Sequence, residues 1–101
     1  MIHVLARITL KPGMAPLFLR EFYELAALVR QEIGCLDYFP TQDVPLGLDI
    51  QEYSPDSVTI VEKWASRNAL EVHLRSGNLR AFHERVHDLV EDTRLTIMHE
   101  V

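Results

Sequence analysis

Alternating apolar and polar positions predict four β-strands. From Ile2 to Leu10 an apolar residue takes every second position, which is the period of a strand with one buried face. The segment from Cys35 to Val44 is the second predicted strand, and Pro40 within it cannot donate to a ladder, which predicts a sheet edge or a bulge. Val58 to Trp64 and Arg94 to Val101 alternate in the same way.

A repeat of three to four residues predicts helices between these strands. The first runs from Pro16 to about Glu32, with Gly34 as its natural stop. Ser66 is placed to cap a second helix, and the Ser76-Gly77 pair should interrupt it before a longer helix from about Asn78 to Glu91. The apolar stripe of the first helix consists of Phe18, Phe22, Leu25 and Val29.

The resulting order βαββαβ predicts an α+β, ferredoxin-like domain spanning residues 1–101, with two helices on one face of a four-stranded antiparallel sheet. Leu5, Val61 and Met98 fall on the other face, which is too apolar to be left wet. We therefore expect a homodimer that packs through its sheet faces. Leu48 to Tyr53 either extends the second strand or forms an irregular arm.

Composition and charge exclude several classes of protein. A net charge of −5 over 101 residues, without a basic stripe, disfavours nucleic acid as a partner. No apolar run reaches membrane-spanning length and no secretory leader pattern opens the chain, so we expect a cytoplasmic protein without a membrane partner. Cys35 is the only cysteine, which rules out a disulfide within one chain.

Several short motifs resemble the antibiotic biosynthesis monooxygenase domain. The resemblance covers nearly the whole chain and is nearest to the bacterial quinol monooxygenases of that family. It implies a dimeric α+β barrel and oxidation of a quinol or related electron-rich phenol by dioxygen without a bound cofactor. The motifs are Val61-Glu62-Lys63-Trp64, Ala69-Leu70, His73-Leu74, Arg80-Ala81-Phe82, Gly34-Cys35 with Tyr38 and Asp43, and the turn Ser54-Pro55-Asp56-Ser57.

Departures from the family pattern limit what the resemblance implies. Ile60 and Leu70 stand where polyketide-modifying members carry Asn and Tyr, which argues against anthrone-type substrates. Of the three residues used by haem-degrading members only His83 matches. Haem degradation, isomerisation of a small phosphorylated carbonyl compound and non-catalytic binding of a small molecule therefore remain as alternatives.

Two candidate catalytic residues follow from this reading, in a pocket expected between the helices and the sheet. His73 is the candidate base, because an unperturbed imidazole titrates near neutral pH; otherwise it packs at a helix end. Glu62 shares an apolar strand face and either orients His73 or His83 or lies solvated near an edge.

The candidate substrate-binding residues are mostly aromatic. Trp64 offers an indole N–H and a flat wall, although core packing explains it equally well. The others are Tyr38, Tyr53, Phe82 and His83. His83, His87 and Glu91 recur at metal-ligand spacing, but no second motif supplies a further ligand and no metal site is predicted.

Overall fold

The computed structural model describes all 101 residues and has the predicted element order. The strands are β1 (Ile2–Leu10), β2 (Cys35–Gln42), β3 (Ser57–Trp64) and β4 (Val90–His99), and the helices are α1 (Ala15–Val29), α2 (Arg67–Leu74) and α3 (Gly77–Val86), followed by a 3₁₀ turn, His87–Leu89. Neighbouring strands pair antiparallel in the order β2-β3-β1-β4. The predicted α+β, ferredoxin-like fold is confirmed.

Two predicted boundaries were wrong because tertiary pairing overrides a local helical pattern. The third helix ends at Val86 instead of Glu91, because Val90 already pairs with Leu10 in the sheet. Strand β4 therefore begins four residues before the predicted Arg94. The backbone N–H of Lys11 also donates to the carbonyl of Leu89 at 2.9 Å, which ties this turn to the end of β1.

The predicted edge position of the second strand is confirmed. Strand β2 pairs only with β3, so Pro40 lies where a missing donor is tolerated. The strand ends at Gln42 instead of Val44, and residues 48–53 form no strand. Helix α1 ends at Val29, three residues before the predicted end at Glu32. These last residues form a turn that contributes to the site described below.

The hydrophobic core lies between the helices and one face of the sheet. Alternation along β3 buries Val58, Ile60, Glu62 and Trp64 on this face. Phe18 and Phe22 of α1 contribute aromatic rings to the same layer and are almost completely buried. No helix combines the length and the apolar character needed to cross a bilayer.

The other face of the sheet carries an exposed apolar row. The strand register places Leu5 and Phe39 on either side of Val61, and both outer residues are 40% exposed. Met98 of β4 is 38% exposed. Nothing in the single chain covers this row.

Candidate functional site

A partly enclosed cavity of about 120 Å³ lies between the helical layer and the sheet. Twelve of its sixteen lining residues are hydrophobic, which suits an apolar ring better than a charged or strongly hydrated ligand. The ionisable side chains in the lining are Tyr38, Glu62, His73 and His83. These few polar groups are the ones that can orient a ligand or move a proton.

His73 is held by a carboxylate that sequence reasoning did not single out. The imidazole is 2% exposed, and its Nδ1 lies 3.1 Å from Oε1 of Glu32. An ionised carboxylate can only accept, so this contact requires the proton on Nδ1 and leaves the lone pair on Nε2. Only Nδ1 of the ring is hydrogen-bonded within the chain, and His73 lines the cavity, so Nε2 is the nitrogen left for a ligand there.

The electrostatic environment keeps this imidazole neutral. Burial lowers the pKa of His73 below its usual value, and the charge and hydrogen bond of Glu32 oppose that shift only in part. At neutral pH the ring therefore carries one proton. A neutral imidazole with a free Nε2 is the form that accepts a proton.

Gly34 explains why Glu32 reaches His73. Gly34 has a φ of 84°, and a Cβ added to it would lie 2.6 Å from the Cβ of Ala69. Only glycine combines this left-handed backbone with so close an approach to α2. The approach brings the turn after α1, with Glu32, against the helix that carries His73.

Trp64 packs against the site residues His73 and Glu62 but does not line the cavity. It is fully buried, and its ring stacks on His73 with the centroids 4.6 Å apart and the planes at 30°. Its Nε1–H donates to Oε1 of Glu62 at 3.0 Å. The donor that the sequence suggested for a ligand is thus engaged inside the protein.

Glu62 is the one buried carboxyl group of the chain. Burial raises the pKa of Glu62 from 4.5 to about 7, against the opposing hydrogen bond from Trp64, and the charge of Glu32 raises it further. The group is therefore partly protonated at neutral pH and can both donate and accept a proton. It makes a hydrogen bond with neither His73 nor His83 and is not solvated, so the predicted arrangements of Glu62 were wrong.

The cavity contains three of the remaining candidates, and one lies elsewhere. Tyr38 meets the His73 ring edge-on, with centroids 5.4 Å apart, and burial raises the pKa of its phenol, which stays protonated as a donor. Phe82 and His83 of α3 line the cavity. Tyr53 lies in the loop before β3, is 49% exposed and is absent from the lining.

His83, His87 and Glu91 do not lie along one side of a single helix. Helix α3 ends at Val86, so His87 lies in the 3₁₀ turn and Glu91 in β4. No three His, Cys, Asp or Glu side chains are placed so that together they could hold a metal ion. The cavity itself therefore remains the best candidate site.

Glu32 was missed because its role depends on a turn and a close contact. The sequence assigned it to the end of a helix, where a carboxylate is normally solvated. The available signal was Gly34 two residues later, which marks a sharp change of direction. Nothing in the spacing of Glu32 and His73, which are 41 positions apart, predicts that they meet.

Comparisons with known proteins place the chain in a family. The family model described as antibiotic biosynthesis monooxygenase matches residues 1–85. The chain is 32% identical over 100 residues to the probable quinol monooxygenase YgiN of Escherichia coli (strain K12), covering 97% of this chain and 96% of the relative.

Solved structures agree at the level of the fold. PA3566 from Pseudomonas aeruginosa superposes with a TM-score of 0.80 at 26% identity, over 99% of this chain and 93% of that one. A conserved protein from Methanosarcina mazei Go1 superposes with a TM-score of 0.85 at 23% identity, over 99% and 92% of the two chains. With the family model matching most of the sequence, the chain belongs to the antibiotic biosynthesis monooxygenase family.

Proposed function

We propose that this protein oxidises a quinol or a related electron-rich phenol with dioxygen, using no bound cofactor. The observation that carries the proposal is the neutral His73 in the lining of an apolar cavity, held through Nδ1 by Glu32 and with Nε2 left unpartnered. The relation to a probable quinol monooxygenase supports the same substrate class. For a quinol the balanced reaction consumes one dioxygen and yields one hydroxylated quinone and one water.

The first step is removal of a phenolic proton. The quinol ring enters the cavity and its O–H meets Nε2 of His73, which takes the proton as general base. Glu32 stabilises the imidazolium that results, because its carboxylate accepts from Nδ1–H. The resulting quinolate is electron-rich enough to pass one electron directly to dioxygen.

The remaining steps return protons to oxygen. Superoxide and the ring radical combine through a new carbon–oxygen bond, and the peroxy anion that forms needs a proton before its O–O bond breaks. Glu62, with its pKa raised to about 7, and the imidazolium of His73 are the proton donors beside the cavity. The protonated Tyr38 phenol provides a hydrogen bond to the developing anion.

The cavity suits the alternative activities less well. No Lys or Arg side chain lines it, so a phosphorylated carbonyl compound would have no cation to bind its phosphate. A haem macrocycle is several times larger than a cavity of about 120 Å³. Non-catalytic binding of a small aromatic molecule uses the same cavity, and experiment separates it from catalysis.

Oxygen uptake with a reduced naphthoquinone distinguishes an enzyme from a binder. An enzyme consumes dioxygen faster than autoxidation does, in proportion to protein concentration, and leaves the quinol intact under anaerobic conditions. A protein that only sequesters the quinol slows its loss in air. That slowing, or uptake equal to autoxidation, would contradict the proposal.

We further propose that two copies pack through the exposed faces of their sheets. The row formed by Leu5, Val61 and Phe39 supports this, since one face of the sheet is covered by helices and the other presents apolar side chains to water. A second copy offers a row of the same composition. Such an arrangement closes two sheets into the dimeric α+β barrel expected from the sequence.

A further inference from the structure

His83 lies where three spaces meet. Its imidazole lines the cavity and also two open grooves, of about 540 and 580 Å³. One groove lies at the α2–α3 junction, where Leu74 and Leu79 also line the cavity. The other lies between the end of α3 and the start of β4. No other residue lines all three spaces.

The size of the cavity restricts what can be enclosed beside His73. A dry cavity of about 150 Å³ accepts one benzene ring. The present cavity, at about 120 Å³, therefore encloses a single ring and little more. Any fused second ring or ring substituent must lie outside it, in one of the two grooves that adjoin the cavity at His83.

The His83 side chain has properties that suit such an opening. It is exposed on the surface of α3 and takes part in none of the side-chain hydrogen bonds of the chain, so no polar contact fixes its rotamer. Its neighbour Phe82 lies with ring centroids 6.0 Å away. Burial lowers the pKa of His83, and the neutral ring places no full charge beside an apolar substituent at neutral pH.

We infer that His83 is a specificity-determining residue: one ring of the ligand enters the cavity, and the rest of the molecule passes His83 into the adjoining grooves. The preferred ligands are accordingly fused or substituted phenols and quinols, ahead of a single unsubstituted ring. The inference deepens the proposed function and rests on it for turnover, whereas ligand binding tests it independently.

The test compares the affinities of 1-naphthol and phenol, measured without dioxygen so that neither ligand can be oxidised. Titration calorimetry gives Kd for both ligands with the wild type, His83→Ala and His83→Trp. His99→Trp is the matched control, because His99 is exposed and lines neither the cavity nor the grooves. Circular dichroism checks folding, and His83→Tyr replaces the tryptophan variant if that variant does not fold.

The wild type should bind 1-naphthol more tightly than phenol. His83→Trp should reduce this preference by about tenfold or more, as expected when a bulky side chain fills a binding site, and His83→Ala should keep or increase it. The preference should be unchanged in His99→Trp. The inference is overturned if the wild type binds neither ligand, or if the preference stays the same in every folded His83 variant.

Oxygen uptake with a reduced naphthoquinone and a reduced benzoquinone completes the test. If the binding preference responds to His83 but no variant consumes dioxygen, the specificity inference stands and the oxidase proposal fails. If uptake is fast but the preference for the two-ring quinol is the same in the wild type and in the His83 variants, the oxidase proposal stands and the specificity inference fails.

Discussion

The indole nitrogen of Trp64 donates to Oε1 of Glu62 across 3.0 Å in the interior of the protein. This hydrogen bond is the one side-chain contact that satisfies a buried carboxyl group whose pKa is raised to about 7. It also links the aromatic ring that supports His73 to the second proton-carrying group of the cavity. The two residues thus act as one unit, with Trp64 positioning Glu62.

Replacing Trp64 by Phe should separate the packing role of the ring from its donor role. The variant keeps an aromatic side chain against His73 but leaves a buried carboxyl group without its donor, which costs about 1–3 kcal/mol. Because the hydrogen bond lowers the pKa of Glu62, its loss should raise that pKa further. Urea denaturation and the pH dependence of oxygen uptake measure both effects, and unchanged values would contradict this role for the indole N–H.

Glu62 should make the protein less stable as pH rises. Its pKa is 4.5 when unperturbed and about 7 in the folded state, so the folded state prefers the protonated group. The contribution of Glu62 to the free energy of unfolding is therefore fully present below pH 4.5 and is lost as pH rises to about 7. The total loss is about 3 kcal/mol.

The comparison with Glu62→Gln isolates this effect. The lowered pKa of His73 acts in the opposite direction, by destabilising the folded state as pH falls below 6.5, and is common to both proteins. The stability of the variant relative to the wild type should rise between pH 4.5 and 7. A constant difference between the two proteins would show that Glu62 is ionised normally in the folded state.

Glu32→Gln should reduce kcat and move the pH profile. The charge and hydrogen bond of Glu32 raise the pKa of His73 against the effect of burial, so removing the charge should lower that pKa further. We expect kcat to fall by about tenfold or more and the acid limb of the profile to move to lower pH.

Glu32→Asp tests whether Glu32 positions His73. The aspartate keeps the charge and should restore part of the rate. A purely structural role for Glu32 would change stability while leaving the acid limb of the pH profile in place. An acid limb that does not move in Glu32→Gln would therefore remove Glu32 from the mechanism.

The sequence predicted the parts of the site that depend on local periodicity. Alternation along β3 places Glu62 and Trp64 on the buried face, and the helix that starts after the Ser66 cap carries His73 in its last turn. The partner of each group was not predictable in the same way. Whether a buried Glu62 meets a histidine or an indole depends on side-chain rotamers in the packed core.

The remaining errors arise where distant segments meet. The start of β4 is set by pairing between Leu10 and Val90, which a helical apolar stripe does not reveal. Glu32 reaches His73 only because the turn at Gly34 approaches Ala69 closely. Both contacts join residues more than 30 positions apart, beyond the range over which sequence periodicity carries information.

Gly34→Ala should therefore reduce both stability and activity. The added methyl group would strain the backbone at a φ of 84° and clash with Ala69, with a combined cost of about 2–4 kcal/mol. The double variant with Ala69→Gly removes the clash but keeps the strain, so it should recover only part of the loss. Full recovery would show that backbone conformation is unimportant here, and no loss in the single variant would contradict the account of this turn.

Leu5→Glu should separate the proposed dimer into single chains. The substitution places a charge in the apolar row of the open sheet face, whereas Leu17→Glu changes a similarly exposed leucine on α1. Light scattering after size exclusion should give twice 11.7 kDa for the wild type and for Leu17→Glu, and a single-chain mass for Leu5→Glu. A wild type with the mass of one chain would contradict the proposed pairing.

The tautomer of His73 and its response to a bound phenol provide the most direct test of the account. Long-range ¹H–¹⁵N correlation at pH 7, with His73→Ala used for assignment, should show a neutral ring protonated on Nδ1. Adding 1-naphthol should shift the Nε2 resonance of His73, because the phenolic O–H donates to that nitrogen. A ring that carries protons on both nitrogens at pH 7 would contradict the proposal that His73 is the base. An Nε2 resonance that stays in place while the ligand binds would contradict it too.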